Sequence, residues 1–533
     1  MEERPGSEKQ KPDALIRLKA LVFVSALLLC LAGGVKAARP DQAAAGAPAI
    51  IPETGTGSVY TQSPEDGTGP VYTQSPETET GPSYTEGSET GTGPAADIPV
   101  PVSLPAVYSL VDQGKKPMVR SQGNTGTCWA ISAVSAIESD LLPERRILLS
   151  ADHMSIRNGF RVTQDDGGDY YMIMSYLADW KGPVLEEEDP YGDGISPEGL
   201  RAALHVQEIH MLGSMPRRAV KQMIMRYGAA QSSLCLNRRR TDTDEYHYYN
   251  ASTCAYFDPL MEEVDHDILI LGWDDTFSRD NFRIRPPLDG AWICQNTWGD
   301  SFGEDGIFYV SYEDRNLLRK GALVYSRIED TDNYDRVYEN DTLGWQGRQG
   351  YEGYECWFAG AYTAQSDEEL RAVGLYSTGV GTVCEVYVIP RFEGEKDLDS
   401  LADRTGLPGA DVFHAGGMTM DTAGYFTVDL DRTAALKAGQ QFAVAVWIRT
   451  EGETKPVAVE MVKDRFTEPV TLEGRQTWIS SDGKLWDNTQ SIYQTNVCLK
   501  AYTVRTGRTD KQILQTEQDN TDKTDKEADT DGE

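Results

Sequence analysis

The chain has 533 residues, enough for about two to four domains. It carries 84 acidic residues against 50 Lys and Arg, a formal net charge of −34. That balance excludes sequence-independent nucleic-acid binding, which needs clustered basic residues, and attraction to an anionic membrane surface. No His-Glu-x-x-His, Cys-x-x-Cys or P-loop run occurs, so neither a metal site nor a cofactor is expected. The acidic runs Glu186-Glu187-Glu188-Asp189 and Asp242-Thr243-Asp244-Glu245 lack a calcium-loop pattern and read as solvated faces.

Arg17 and Lys19 precede an apolar run from Ala20 to Leu31, and Val35-Lys36-Ala37 is an acceptable cleavage site. Residues 1–37 are expected to be a signal peptide, with an uncleaved anchor as the alternative. The apolar run is shorter than the about 20 residues of a membrane span. Residues 38–100 are low in complexity: the run from Gly55 to Asp66 recurs from Gly67 and more loosely from Glu79. A segment so rich in Gly, Pro and Thr buries too little apolar surface to fold, and reads as a flexible spacer.

The next run, Ser121-Gln122-Gly123-Asn124-Thr125-Gly126-Thr127-Cys128-Trp129-Ala130, is the most informative. Behind Cys128, the residues Ala130, Val134, Ile137 and Leu141 recur at helical spacing. This predicts a buried helix with Cys128 in its first turn. Amides and the dipole at a helix N-terminus stabilise negative charge, so the thiol there is expected to ionise more easily. Gln122 is placed to offer an amide donor to an oxyanion.

This run resembles the nucleophile segment of papain-like cysteine peptidases. Thr125 stands where the family often has a disulfide-bonded cysteine, and Thr127 where it has Ser or Ala. The resemblance implies an α+β fold over residues 101–330, a two-lobed catalytic domain with a helical lobe and a β-barrel-like lobe. It implies Cys128 as nucleophile. His153, in Leu149-Ser150-Ala151-Asp152-His153, matches a structural element between helices. Asp166-Gly167-Gly168-Asp169 resembles the glycine wall of the cleft, where Gly167 and Gly168 would let an extended substrate approach. His266 opens Asp267-Ile268-Leu269-Ile270-Leu271-Gly272-Trp273, a run that reads as a buried strand. Gln295-Asn296-Thr297-Trp298-Gly299 resembles the family's Asn-Ser-Trp-Gly element. There Asn296 would orient His266 and Trp298 would cover that bond at the substrate cleft. The interval from Asp274 to Asp289 is longer than is typical, a surface excursion that would emerge near the cleft and could shape leaving-group-side specificity. His205, His210, His247 and His414 have no motif around them. The spacer shows no amphipathic helical pattern of a folded inhibitory propeptide, so latency by such a segment is not expected.

Of the eight cysteines, cleavage would remove Cys30. Cys235 and Cys254 are near enough in sequence to be a candidate pair, and Cys294 reads as free in a core strand. Residues 345–505 change to short alternating segments, such as Phe442, Val444, Val446 and Ile448 set against Ala443, Ala445 and Trp447. These predict an antiparallel β-sandwich. It resembles the lectin-like domain that follows the peptidase in many secreted bacterial enzymes, and Trp478 and Trp486 either stack on sugar or pack within the sandwich. Residues 506–533 read as a disordered, charged and polar tail.

The expected protein is a secreted or cell-surface bacterial cysteine endopeptidase that hydrolyses peptide bonds through a thiolate–imidazolium pair of Cys128 and His266 and an acyl-enzyme. Its partners would be protein or peptide substrates and a cell-wall or carbohydrate ligand at the C-terminal domain, with no nucleic acid and no stable membrane span after signal cleavage. The alternatives are a non-catalytic surface adhesin and a cell-wall transpeptidase or amidase using the same acyl-enzyme.

Overall fold

The structure, a computed structural model, describes residues 49–52 and 103–507, apart from 214, 237–246, 262, 402–411, 463–466, 468–469, 473 and 475. The expected signal peptide, nearly all of the spacer and almost the whole C-terminal tail lie outside the described residues. Four spacer residues are an exception. The apolar stretch Ala49–Pro52 forms strand β1, where a wholly unstructured spacer was expected. Its backbone supplies the partners that a short sheet edge lacks.

Apart from a five-residue helix at Thr489–Tyr493, the α-helices of the described residues gather early in the chain. They are α1 (Cys128–Leu141), α2 (Ala151–Ile156), α3 (Tyr170–Ala178) and α4 (Arg217–Tyr227). Ala130, Val134 and Ile137 of α1 are fully buried, as their spacing predicts, and so is nearly every other residue of that helix. Burying Glu138 with them requires a partner. Arg120 meets it in a two-pronged contact, Nη1 to Oε2 at 2.8 Å and Nη2 to Oε1 at 2.6 Å. Ser150 and Asp169 cap α2 and α3 by accepting from the main-chain N–H of His153 and Met172.

Nine further strands belong to the first half of the chain: β2 (Val107–Ser109), β3 (Leu204–Leu212), β4 (Ala230–Leu234), β5 (Tyr249–Asn250), β6 (Ala255–Tyr256), β7 (His266–Asp274), β8 (Ala291–Gln295), β9 (Ile307–Ser311) and β10 (Ala322–Asp330). The apolar run after His266 is β7, buried along its length until Asp274 and flanked by β4 and β8. The excursion between β7 and β8 is anchored rather than bare: Phe277 stacks on Tyr309 at 4.4 Å, and Phe282 is buried.

The second half supplies β11 (Arg336–Glu339), β12 (Gly347–Gly350), β13 (Glu355–Thr363), β14 (Glu368–Ser377), β15 (Thr382–Ile389), β16 (Phe413–Met420), β17 (Ala423–Leu436), β18 (Gln441–Arg449), β19 (Val457–Glu460), β20 (Thr477–Ser480), β21 (Asp487–Asn488), β22 (Asn496–Val497) and β23 (Leu499–Arg505). One sheet runs β16-β15-β18-β13-β20-β21. Its inner face, including Phe358, Val386, Val444 and Val446, packs in one core with Leu375, Phe426, Val428 and Leu499 of the opposing strands. This is the expected sandwich, and the alternation along β18 puts Phe442, Val444, Val446 and Ile448 in its core.

The opposing sheet does not stop at the domain limit. Among the described residues it forms one 13-stranded sheet whose path runs from β11 through β23, β14 and β17 into β3, β10, β4, β7, β8, β9, β6 and β5. The strand-rich lobe expected to be barrel-like is therefore open, and its free side is extended by the sandwich. The seam is the antiparallel pair β17–β3, with Gly424 opposite His210 and Tyr425 opposite Ile209. Gly424 has φ +132°, and a Cβ there would lie 1.9 Å from the Ile209 carbonyl oxygen, so the close approach requires glycine. A third, four-stranded sheet has the order β1-β12-β19-β22.

The Cys235–Cys254 pairing is not formed, and no disulfide joins any two of the described cysteines. Cys235 is buried beyond β4, whereas Cys254 sits half-exposed in the turn between β5 and β6 with φ +51°. Cys294 is free and fully buried in β8, as expected. No helix among the described residues is long and apolar enough to cross a membrane.

Candidate active site

Three segments converge on Cys128. The first is its own loop. Ser121 bridges to Trp298, Gln122 N donates to Thr297 O at 2.8 Å, and Gly299 N donates to Arg120 O at 3.0 Å. Arg120, held by Glu138 of α1, thus fixes the loop against the Asn296–Trp298 turn. The second segment is the start of β7, whose Asp267 main-chain N–H reaches the Cys128 sulfur. The third is the turn after β8, which carries Asn296, Thr297 and Trp298.

Where the family often has a disulfide, hydroxyls tie the loop instead. Thr125 Oγ1 lies 2.8 Å from Thr127 Oγ1 and 3.0 Å from Tyr191 OH, and Tyr191 OH donates to Gln122 O at 3.1 Å. The glycine wall lies directly against this loop. Gly126 N donates to Gln164 O at 2.8 Å, and a Cβ on Gly168 would fall 2.3 Å from the Trp129 ring.

His266 Nε2 and Asn296 Oδ1 are 2.7 Å apart. Asn296 Oδ1 also accepts from Thr297 N at 2.7 Å, which sets the orientation of the amide. The Trp298 ring lies 4.9 Å from the His266 ring, tilted by 44°. Asn296 is 1 % exposed and His266 5 %. Gln122 is gripped at both ends: its Oε1 accepts from Thr297 Oγ1 at 2.7 Å, and its Nε2 donates to Thr125 O at 2.6 Å. One of the two Nε2 hydrogens is therefore spent within the loop.

The electrostatics differ from the expectation. Burial pushes the Cys128 thiol up to about 12, and the Asp267 carboxylate pushes the same way. The main-chain N–H groups of Asp267 and Trp129 pull it down, but less strongly. The easing expected from the helix N-terminus is outweighed because Cys128 is only 6 % exposed.

Asp267, the charged residue beside His266, had no role assigned from sequence. It is 6 % exposed and faces β4, where Ser233 Oγ donates to it at 2.5 Å and Gln231 Nε2 at 2.7 Å. Gln231 also donates to Trp129 O at 3.0 Å, and Tyr170 OH lies 3.2 Å from Ser233 Oγ. Burial raises the Asp267 pKa above the ordinary carboxylate value. A charged residue opening an otherwise apolar strand was the available signal. Thr297 and Tyr191 gave none, since each acts only through neighbours distant in sequence.

The remaining histidines have other partners. His153 Nδ1 meets Tyr176 OH at 2.7 Å, and burial drops its pKa to about 4. His205 stacks on Trp180 at 3.8 Å, and His210 lies at the β17–β3 seam beside Thr422 and Ser326.

This fold and this Cys–His–Asn arrangement define a papain-type domain, and comparison with known proteins agrees. Residues 105–325 match the papain family cysteine protease, and residues 337–503 match the lectin like domain. The chain thus carries a papain-family cysteine protease domain followed by a lectin-like domain. Procathepsin L of Felis catus is 25% identical over 227 residues, which is 40% of this chain and 63% of that protein. Cathepsin S of Bos taurus is 26% identical over 225 residues, 40% of this chain and 62% of that protein. The chain therefore spans less than two thirds of the length of these relatives. The crystal structure of the cysteine protease and lectin-like domains of Cwp84, a surface layer associated protein of Clostridium difficile, has the same fold. Its TM-score is 0.65 at 22% identity, covering 76% of this chain and 90% of that chain. A second Cwp84 structure, taken after propeptide cleavage, gives 0.63 at 22% identity, covering 75% and 99%.

Proposed function

We propose that the protein is an exported cysteine endopeptidase, with Cys128 as nucleophile, His266 as proton carrier and Asn296 as the group that orients it. The observation that carries this reading is the 2.7 Å contact between His266 Nε2 and Asn296 Oδ1 beneath Trp298, next to a cysteine in the first turn of α1. The Cys128 proton passes to His266 as sulfur attacks the scissile carbonyl. The C–S bond forms and the C–N bond breaks, and His266 returns the proton to the leaving amine. Water then hydrolyses the thioester. The Cys128 main-chain N–H and the remaining N–H of Gln122 serve the oxyanion. Gly167 and Gly168 form one wall of the cleft and Trp298 shields the His266–Asn296 bond from water. Export rests on the apolar segment Ala20–Leu31, and a surface location also fits the description of Cwp84. The division into a peptidase over 101–330 and a sandwich over 345–505 belongs to the same proposal.

One observation favours a second reading, a surface binding protein that keeps the peptidase fold: Cys128 is buried, and burial pushes its thiol up to about 12. Labelling of the purified protein by E-64, with Cys128→Ala alongside and casein as substrate, separates the two. Stoichiometric labelling that abolishes cleavage supports the peptidase. A thiol that neither labels nor cleaves under reducing conditions sinks it. Product analysis with a competing amine distinguishes hydrolysis from transpeptidation.

A further inference from the structure

Gln122 can serve an oxyanion only if its uncommitted N–H points at the oxygen of the carbonyl that Cys128 attacks. Its carboxamide is aimed from two ends, by Thr297 Oγ1 and by Thr125 O. The Thr297 end is braced by the bridge between Ser121 and Trp298. The Thr125 end is only as firm as the loop from Gln122 to Thr127, and no disulfide holds that loop. Within it, Thr125 N reaches Gln122 O at 3.4 Å, a weak contact, and Thr125 Oγ1 donates to the same oxygen at 2.8 Å.

One side chain from outside the loop meets it at three points. Tyr191 OH donates to Gln122 O at 3.1 Å, lies 3.0 Å from Thr125 Oγ1 and contacts Thr127 Oγ1. The hydroxyl hydrogens can be placed. Tyr191 and Thr125 both donate to Gln122 O, which has two lone pairs, so Thr127 donates to the oxygens of the other two. This arrangement shows at α1. Thr127 is the residue before the helix, where a threonine hydroxyl ordinarily accepts from a first-turn N–H, yet it makes no such bond. The N–H of Trp129 is left to the Cys128 sulfur. Tyr191 is itself held from α2. Tyr191 N donates to Glu186 Oε1 at 3.0 Å, and Gly192 N donates to Asp152 Oδ2 at 3.0 Å. Asp152 Oδ1 accepts from Gln164 Nε2 at 2.7 Å, and Gln164 O accepts from Gly126 N at 2.8 Å. The same buried carboxylate therefore steadies Tyr191 and the far side of the loop.

We propose, on the reading that Cys128 is the nucleophile and Gln122 an oxyanion donor, that Tyr191 is a positioning residue for the reaction. Its hydroxyl holds the Gln122–Thr125 turn so that the Gln122 carboxamide is aimed at the developing oxyanion. The hydroxyl hydrogen is committed to Gln122 O, so Tyr191 acts through Gln122 and not on the reacting atoms. Loss of the hydroxyl leaves Gln122 O with one side-chain donor and takes a partner from both Thr125 and Thr127. The turn loosens, and the direction of the carboxamide with it. A misaimed donor weakens the transition state more than the bound substrate, because charge on that oxygen develops only as sulfur attacks. Reactions of Cys128 that build no such charge are untouched.

The test is Tyr191→Phe in the full chain, which removes the hydroxyl and keeps the ring. For a peptide that the parent chain cuts from casein, kcat should fall about tenfold with KM little changed, the size of one hydrogen bond. That is less than the about 10²–10³-fold of removing an oxyanion donor outright. Inhibition by the peptide aldehyde leupeptin should weaken by a similar factor. There the sulfur adds to the aldehyde carbon, the thiol proton moves to His266 and the carbonyl oxygen takes up the charge, with nothing expelled. Alkylation of Cys128 by iodoacetamide expels iodide and creates no oxyanion. Its rate should stay within about twofold, since the thiol keeps its surroundings. On a Gln122→Ala background, Tyr191→Phe should add almost nothing, as expected of two residues that act through one group. Thr125→Val removes the other hydroxyl donor to Gln122 O; it should reproduce the pattern, and it carries the test if Tyr191→Phe does not fold. Equal losses in alkylation and turnover, or full additivity with Gln122→Ala, would make Tyr191 a structural residue and overturn the proposal. A parent chain that neither labels with E-64 nor cleaves casein sinks the peptidase reading itself. A parent that does both, with Tyr191→Phe indistinguishable from it, sinks only the role of Tyr191.

Discussion

Cys128 is subject to two opposed influences. Its place in the first turn of α1 favours the thiolate, while burial and the nearby Asp267 favour the thiol, and the second influence prevails. Asp267→Asn keeps the shape and removes the charge. It should lower the thiol pKa and speed alkylation of Cys128 by iodoacetamide at neutral pH several-fold, as a nearby like charge is lost. A pH–rate profile unchanged from the parent would show that Asp267 does not act on the sulfur. At the neighbouring position, Asn296→Ala removes the acceptor that holds His266 Nε2. Turnover should fall by roughly 10²-fold with KM little changed, since positioned proton transfer contributes about 10²–10⁴-fold. The Cys128, His266 and Asn296 positions were legible because each sits inside a contiguous motif. Asp267 and Tyr191 were not, because what they do depends on strand pairing and loop return that no local run encodes.

Helix α3 shows what one element can join. Its first residue, Tyr170, reaches Ser233 and hence Asp267 beside Cys128. Just beyond its last turn, Asp179 meets Lys500 of the sandwich at 2.5 Å. Nine residues thus run from beside Gly167 and Gly168 to the contact with Lys500. The wall that precedes α3 tolerates no side chain at Gly168. Gly168→Ala should displace the Trp129 ring and cost about 1–3 kcal/mol, the usual range for overpacking, read by urea unfolding. It should also reduce kcat/KM for peptide substrates, and an undiminished value would mean that the wall is not part of the cleft. The buried strand β7, the helix α1 and the alternation of β18 were all predictable from hydrophobic period. The seam between β17 and β3 was not: period reports which face of a strand is buried, and not which strand lies at its side.

At the scale of the molecule, the two halves share a buried charge cluster. Lys500 is fully buried and contacts Asp179 at 2.5 Å, Glu339 Oε2 at 2.7 Å and Asp341 Oδ2 at 3.2 Å. Burial alone would lower its pKa, but Asp179, Asp341 and Glu339 together hold it well above the ordinary lysine value. Lys500→Met leaves buried carboxylates without their cation. It should cost about 3–5 kcal/mol, the usual loss on breaking a buried ion pair from one side, and a smaller loss in urea unfolding would deny the cluster a structural role. Burial and crowding by like charge also raise Glu339 and Asp341. In the unfolded chain these groups ionise at about 4. Above that pH the folded state keeps protons that the unfolded state has released, so this contribution to stability is lost as pH rises through the raised folded values. Asp341→Asn should flatten that decline, measured as unfolding free energy across the neutral range.

The shared sheet changes what counts as a separable unit. A fragment ending after β10 would bare β3 along a side that β17 covers, leaving unpaired N–H and C=O groups on a long buried strand. Such an edge invites pairing with another copy. The family-sized peptidase alone should therefore self-associate or misfold. Recombination that exchanges one domain without the other would have to heal a severed sheet as well as rejoin a chain.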